Sequence, residues 1–133
     1  MSYQENNSTE TPLSPNQIYQ GKPFKLDPKY ITAQISVNTD QEGTLELFHS
    51  YDGKSYYNYN DIETINNSKH FQFSLKGSYM YVKYTNGNTQ QTKFSLHTKL
   101  STQPRENMNV QLNYLEDTVS VPNLEKAYTT IDA

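Results

Sequence analysis

Residues 43–60, GTLELFHSYDGKSYYNYN, and residues 79–98, YMYVKYTNGNTQQTKFSLHT, decide the fold. In both stretches apolar and polar residues alternate, as they do in a strand that has one face buried and one face in water. The pairs Asp52-Gly53 and Asn86-Gly87 interrupt the alternation. Such pairs are strong signals for tight turns because glycine accepts a positive φ. The two stretches therefore predict an antiparallel β domain, with Gly53 and Gly87 at positive φ in hairpin turns.

The spacing of the strand patterns predicts the architecture. Seven short strands are expected, around Phe24 and Leu26 and over residues 31–37, 44–50, 62–65, 71–75, 79–85 and 92–98, with the last two paired across the loop 86–91. This number and spacing are typical of an all-β antiparallel sandwich or jelly roll. The residues predicted to form its core are Ile35, Val37, Leu45, Leu47, Phe71, Phe73, Leu75, Met80, Val82, Phe94 and Leu96.

The composition divides the chain into three parts. Apolar residues are concentrated between Phe24 and Leu100, whereas the segments on either side are polar and contain few apolar side chains. Polar segments of this kind cannot order themselves by burial. We therefore expect an extended N-terminal arm over residues 1–22, a β-sandwich domain over 23–101 and an extended C-terminal arm over 102–133.

Charge and composition exclude several classes of function. The net charge is −3 and no cluster of Lys or Arg occurs, so a direct nucleic-acid partner is not expected. No apolar run approaches the roughly 18 residues of a membrane span, and the first residues lack the basic and apolar regions of a signal peptide. The chain has no Cys, which excludes disulfides and thiolate metal sites. We expect synthesis in a cytoplasm.

The residue types that carry catalysis form no recognisable motif. His49, His70 and His97 fall on predicted strands without the spacing of a metal site, and we expect them to be exposed polar positions. The acidic residues stand beside turns, where Asp and Glu serve turn formation and solubility. No strained nucleophile elbow and no glycine-rich phosphate loop is present. The sequence predicts no enzyme, no catalytic or metal-binding residue and no cofactor.

Tyrosine is the most unusual component, with 12 residues and no Trp. Tyr51, Tyr56, Tyr57 and Tyr59 surround the Asp52-Gly53 turn and predict an aromatic patch. Tyrosine offers a large contact area and a hydroxyl at a low cost in side-chain entropy, which suits protein partners and sugars. The alternative is structural, because tyrosines also cap the ends of a small sandwich core and have high strand propensity.

The order of these motifs resembles a β-sandwich module that recurs in virion proteins of tailed phages and large DNA viruses. The matching residues are Gly43, Thr44, Leu45, Ser50, Asp52, Gly53, Tyr81, Val82, Lys83, Tyr84, Thr85, Asn86, Gln91, Thr92, Phe94, Leu96 and Thr98. The chain departs from the module where Tyr56 or Tyr57 replaces Trp, Lys83 replaces Arg and His49 replaces Gln. The resemblance covers residues 31–100 and identifies no catalytic residue.

The resemblance implies a viral structural protein of the virion, made in the host cytoplasm. Such a protein would be a minor capsid, cement, decoration or tail-associated subunit that docks on a virion lattice and binds neighbouring capsid or tail subunits through its arms. The candidate partner-binding residues are Leu13, Ile18, Tyr19, Tyr51, Tyr56, Tyr57, Tyr59, Val110, Leu112, Tyr114, Leu115, Val119 and Leu124. The alternative is a glycan-binding module of a viral fibre or tail that uses the tyrosine patch.

Overall fold

The computed structural model describes residues 2–104, and these residues are almost entirely β-structure. The strands are β1 (Ser2–Tyr3), β2 (Ile18–Gln20), β3 (Phe24–Lys25), β4 (Thr32–Thr39), β5 (Gly43–Ser50), β6 (Ile62–Ile65), β7 (Lys69–Ser74), β8 (Tyr79–Asn86) and β9 (Phe94–Ser101). One short 3-10 helix, Glu5–Asn7, follows β1. Over the same range, none of the helical structure is long or apolar enough to span a membrane.

The strands form two antiparallel sheets packed face to face. Sheet 1 has the order β1-β9-β4-β7, and sheet 2 has the order β2-β8-β5-β6, with β3 also paired to β8. Apart from β2–β3 and β5–β6, each connection between successive strands crosses from one sheet to the other, which is the strand arrangement of a jelly roll. The predicted antiparallel, jelly-roll-like β-sandwich is therefore confirmed.

One predicted pairing is wrong. Strands β8 and β9 were expected to form a hairpin, but β8 lies in sheet 2 and β9 lies in sheet 1. The intervening loop crosses between the sheets because both of its ends are held inside the molecule. Asn86 and Gln91 are each 1% exposed and hydrogen-bond to residues far away in sequence.

The core lies between the two sheets and follows the alternation of the strands. The buried apolar residues are Leu13, Leu26, Ala33, Ile35, Val37, Leu45, Leu47, Ile65, Phe73, Met80, Val82, Tyr84, Phe94, Leu96 and Leu100. Nine of the predicted core residues are among them, and the other two, Phe71 and Leu75, are partly buried and pack against this cluster. The predicted core positions are therefore confirmed.

The structure corrects the boundary expected at residue 22. Residues 2–22, here called the N-terminal strap, lie along both sheets of their own domain. Strand β1 pairs with β9, and Thr9 forms a bridge with Leu96. Strand β2 pairs with β8 in the opposite sheet. The strap is thus an integral part of the sandwich rather than a separate arm, whereas most of the expected C-terminal arm, residues 105–133, lies outside the described residues.

Buried polar side chains hold the strap in place. The Asn7 side chain accepts a hydrogen bond from the Val82 N–H at 2.8 Å and donates one to the Lys22 carbonyl at 3.0 Å. The Gln91 side chain accepts from the Leu13 N–H at 2.8 Å and donates to Thr39 Oγ1 at 2.9 Å. The strap is therefore ordered by specific hydrogen bonds as well as by burial of Leu13.

The two glycines of the expected turns behave differently. Gly53 has a φ of 77°, as its Asp-Gly pair predicts. Gly87 does not have a positive φ, so that part of the prediction is wrong. Gly87 is instead required for space, because a Cβ atom there would lie 2.7 Å from the Glu42 carbonyl oxygen. Its N–H donates a hydrogen bond to the same oxygen at 2.9 Å.

Candidate functional site

Three exposed tyrosine rings form a continuous surface at one end of the sandwich. Tyr51, Tyr57 and Tyr59 are 68%, 58% and 39% exposed. The Tyr59 ring lies between the other two, with centroid distances of 6.5 Å to Tyr51 and 5.9 Å to Tyr57, both in edge-to-face geometry. We call these three rings the tyrosine surface. The expected patch is thus present at Tyr51, Tyr57 and Tyr59, and these rings are not core residues.

A second aromatic group lies on the outer face of sheet 2. Phe48 and Tyr81 are neighbours on β5 and β8, and their rings are stacked at 4.9 Å with planes 3° apart. Tyr56 packs against Tyr81 at 5.3 Å, and the Lys83 ammonium lies 5.9 Å from the Phe48 ring centroid. Phe48 and Tyr81 were not among the expected site residues, although strand alternation places both on the outward face.

Residues 51–61, here called the tyrosine loop, are fixed to the end of β5 by hydrogen bonds. The Ser50 hydroxyl accepts from the Gly53 N–H at 2.8 Å and donates to Asp52 Oδ1 at 2.9 Å. The same Asp52 oxygen accepts from the N–H groups of Lys54 and Ser55. These backbone donors, together with the Ser50 hydroxyl, lower the pKa of Asp52 to about 2. The Ser50 and Asp52-Gly53 motif therefore acts as a structural cap that shapes the loop.

The centre of the tyrosine loop contains a strained backbone. Tyr59 and Asn60 have φ values of 48° and 68°, in the left-handed region that non-glycine residues rarely occupy. The Asn58 side chain supports this turn by accepting from the Asn60 N–H at 3.0 Å. Strained residues of this kind persist where the surrounding structure determines them, and they are often found at functional sites. Here the left-handed conformation places the Tyr59 ring between the rings of Tyr51 and Tyr57.

Desolvation raises the pKa of three tyrosine hydroxyls in this part of the molecule. Desolvation, with smaller contributions from the Tyr51 and Tyr57 hydroxyls, raises the pKa of Tyr59. Desolvation also raises the pKa of Tyr56 and of Tyr81. Tyr59, at the centre of the surface, therefore presents an uncharged ring and hydroxyl, which suit contacts with apolar groups and hydrogen-bonding partners.

The other expected partner-binding residues are placed differently. Leu13 is buried in the core, and Tyr19 packs against it while its hydroxyl donates to the Ser8 carbonyl at 3.2 Å. Ile18 alone of the three strap residues is largely exposed, on β2. The strap anchors therefore serve mainly their own domain. The remaining candidates lie outside the described residues, namely Val110, Leu112, Tyr114, Leu115, Val119 and Leu124.

The three histidines have separate surroundings. His49 was expected to be exposed but is fully buried, because it points into the sandwich from the inner face of β5. His70 and His97 lie on the outer face of sheet 1. His70 Nδ1 is 2.8 Å from Ser36 Oγ, and His97 Nε2 is 2.9 Å from a Glu10 carboxylate oxygen. Within residues 2–104, no three His, Asp or Glu side chains are grouped closely enough to hold a metal ion.

A polar cleft lies at the opposite end of sheet 2 from the tyrosine surface. It has a volume of about 530 Å³ and is lined by backbone and by amide, hydroxyl and carboxylate side chains, among them Asn16, Glu42 and Asn88. The cleft forms where the strap, the β4–β5 connection and the β8–β9 loop meet. Its residues take part in the hydrogen bonds that join these segments, such as Gly87 N–H to Glu42.

Comparison with known proteins places the chain in a family. Residues 1–101 match the family model described as "Uncharacterised protein YqxG N-terminal domain". No curated protein sequence matches the chain. Among solved structures, the chain is similar to the crystal structure of PBSX exported protein XepA, with a TM-score of 0.65 and 19% identity over 85% of this chain. The match spans only 40% of that protein's length. The family match covers the entire sandwich, strap included, and the chain therefore belongs to the family of YqxG N-terminal domains.

Proposed function

We propose that this protein is a phage structural protein that docks on a larger virion assembly through its tyrosine surface. The observation that carries the proposal is the group of three exposed rings, Tyr51, Tyr57 and Tyr59, on a loop held by hydrogen bonds. A preformed surface loses little conformational entropy on binding, and tyrosine is among the residues that contribute most to protein interfaces.

The structural neighbour supports the phage context. Its description is an exported protein of PBSX, which is a phage, and it shares the jelly-roll fold with this chain. Jelly rolls are frequent in viral capsid proteins, although the fold itself does not determine function. We place the protein among minor capsid, decoration or tail-associated subunits, with other virion proteins as partners. The apolar residues of segment 105–133 are candidates for a second contact.

A non-enzymatic role is part of the proposal. The arrangement nearest to catalytic chemistry is the Ser36–His70 pair, which lies on the exposed face of sheet 1. Nucleophilic catalysis also needs a third group to orient the base. In the part of the chain that the structure describes, no carboxylate forms an ion pair with His70. Ser36 and His70 are register partners on β4 and β7, which accounts for their contact.

Glycan binding is the second candidate function. Jelly rolls also occur in lectins, and the tyrosine surface has the polar residues Asn58 and Asn60 between and beside its rings. A ring that stacks on a sugar next to an amide that binds its hydroxyls would give a glycan site. We rank protein docking first because tyrosine is enriched among the residues that contribute most to protein interfaces, and the chain has no Trp for stacking on a sugar ring.

The test is the double variant Tyr51→Ala/Tyr57→Ala, with Tyr3→Ala as the matched control. Tyr3 is another exposed tyrosine, at 51%, but it lies on β1 in the opposite sheet. The measurement is the amount of protein in purified phage particles relative to the major capsid protein. We expect the amount of the double variant in particles to fall at least tenfold, since a loss of about 1.4 kcal/mol in binding free energy already gives that factor.

The outcomes separate the two candidate functions. Normal occupancy of both variants in particles would contradict docking through the tyrosine surface. The second function, glycan binding, is supported by a different pair of results. The double variant then has normal occupancy but its particles no longer adsorb to the host cell surface, and cell-wall glycan inhibits the adsorption of wild-type particles. A loss of occupancy with Tyr3→Ala alone would place the docking site on sheet 1.

A further inference from the structure

His49 is a titratable group sealed beneath the tyrosine surface. It is 0% exposed, and both ring nitrogens lack a hydrogen-bond partner among the described residues. Its ring centroid is 6.5 Å from that of Tyr59. A buried polar group without a partner costs stability, so this position is not optimised for stability alone.

The backbone of His49 carries the tyrosine loop. The His49 N–H donates to the Tyr57 carbonyl at 2.9 Å, and the Tyr57 N–H donates to the His49 carbonyl at 2.9 Å. The next residue, Ser50, caps the Asp52-Gly53 turn. Both ends of the tyrosine surface are thus attached to the two residues at the end of β5.

Within residues 2–104, no carboxylate forms a hydrogen bond or an ion pair with the His49 ring. The two charges that act on it are Asp61 at the end of the tyrosine loop and Lys76 in the β7–β8 connection, and these form an ion pair with each other at 2.9 Å. Tyr59 faces the ring as a neutral phenol. Burial first, and the Lys76 charge second, lower the pKa of His49 to about 4, while Asp61 opposes the shift.

We propose that His49 is an acid-sensitive latch for the tyrosine surface, so that proton uptake by its ring releases the tyrosine loop from β5. The neutral ring is compatible with its dry position, whereas the charged ring requires water. Water reaches the ring most directly if the loop that covers it opens, which breaks the two bonds to Tyr57 and separates Tyr59 from its neighbours. This inference rests on the proposed function in one respect, because the surface that it regulates is the proposed docking surface.

The sign of the pH effect follows from the two protonation states. In the open loop His49 titrates near its ordinary value of about 6.5, and in the closed loop near 4. The closed loop is therefore fully favoured above pH 6.5 and is progressively lost as the pH falls toward 4. Between pH 7 and pH 5 the fraction of open loop rises about twentyfold.

The test measures hydrogen-exchange protection factors, which already correct for the intrinsic pH dependence of exchange. In the wild-type chain we expect the protection of the His49 and Tyr57 amides to fall about twentyfold between pH 7 and pH 5. The Ile35 amide of β4 reports global unfolding, which also exposes His49 and so has a similar pH dependence. The latch therefore requires the His49 and Tyr57 amides to be less protected than the Ile35 amide at both pH values. The variant His49→Met, which keeps the volume but cannot titrate, should show no such fall. The variant His70→Met, at an exposed histidine, should behave as wild type.

Two results would overturn the latch. One is equal protection of the Tyr57 amide at both pH values in the wild-type chain. The other is an NMR titration in which the His49 ring takes up a proton while the Tyr57 amide stays protected, a measurement that needs no variant. Neither readout involves a binding partner. Failure of the Tyr51→Ala/Tyr57→Ala test would therefore refute the docking function without affecting the latch, and failure of the exchange test would refute the latch alone.

Discussion

The two glycines that follow Asp or Asn show how one residue type meets two different demands. Gly53 supplies a backbone angle, a φ of 77°, within the tyrosine loop, where a Cβ atom would lie 3.0 Å from the Tyr79 side-chain ring rather than against backbone. Gly87 supplies space, since the Glu42 carbonyl oxygen leaves no room for a side chain. The first demand is local and is visible in the Asp52-Gly53 pair. The second arises only when the β8–β9 loop meets the β4–β5 connection, so no local pattern reveals it.

Substitution by Asn separates these two demands. Gly53→Ala should lower the free energy of unfolding by about 1–2 kcal/mol, and Gly53→Asn by clearly less, because Asn tolerates the left-handed region. Gly87→Ala should cost about 1–3 kcal/mol through crowding, and Gly87→Asn at least as much. Urea denaturation of the four variants checks the pattern. A milder effect of Asn than of Ala at position 87 would contradict the assignment.

At the scale of elements, the seven strands with strong apolar alternation were predictable and the two strap strands were not. Strands β4, β5, β8 and β9 bury every second residue, which the sequence displays directly. The strap has a polar composition, and its order comes from long-range hydrogen bonds of Asn7, Asn86 and Gln91. Amide side chains carry no periodic signal, so sequence reasoning took the strap for a free arm.

The contribution of these amides can be measured at Asn7. Asn7→Ala removes the acceptor of the buried Val82 N–H and the donor to Lys22, and should lower the free energy of unfolding by about 1–3 kcal/mol. Asn6→Ala is the matched control, since Asn6 is adjacent and exposed. Thermal and urea unfolding provide the comparison. Equal stability of the two variants would show that the strap is held by its backbone pairing and Leu13 alone.

The candidate site was partly predictable for the same reason as the fold. Tyr51, Tyr57 and Tyr59 lie near the recognisable Asp52-Gly53 turn. This turn follows the end of a strand, and residues at such a position are expected to be exposed. His49 was misjudged because a polar residue was assigned to the exposed face, although alternation with Leu45 and Leu47 places position 49 on the inner face. Its neighbour Ser50 is buried as well. Two consecutive buried positions result from the loop folding back to pair Tyr57 with His49, which is a tertiary event.

At the scale of the whole molecule, the jelly roll includes the two strands of the strap, β1 and β2. Its last described strand, β9, ends at Ser101. Deleting residues 1–22 removes β1, β2 and the buried Leu13 and Asn7, and we expect the cooperative unfolding transition to be lost. Deleting residues 105–133 should retain that transition, in agreement with the family match to residues 1–101. Circular dichroism during thermal unfolding distinguishes the cases. A cooperative transition after the N-terminal deletion would mean that the strap is dispensable.

The pairing of β1 with β9 also has a consequence for folding during synthesis. Ser2 is partnered with Leu100 and Tyr3 with Lys99, so β1, the first strand of this pair, leaves the ribosome before β9 is made. At a synthesis rate of about 5–20 residues per second, the first strand waits roughly 5–20 seconds for its partner. Contacts of such long sequence separation are also slow to form. The nascent chain therefore passes through a period in which the residues of β1 have no strand partner.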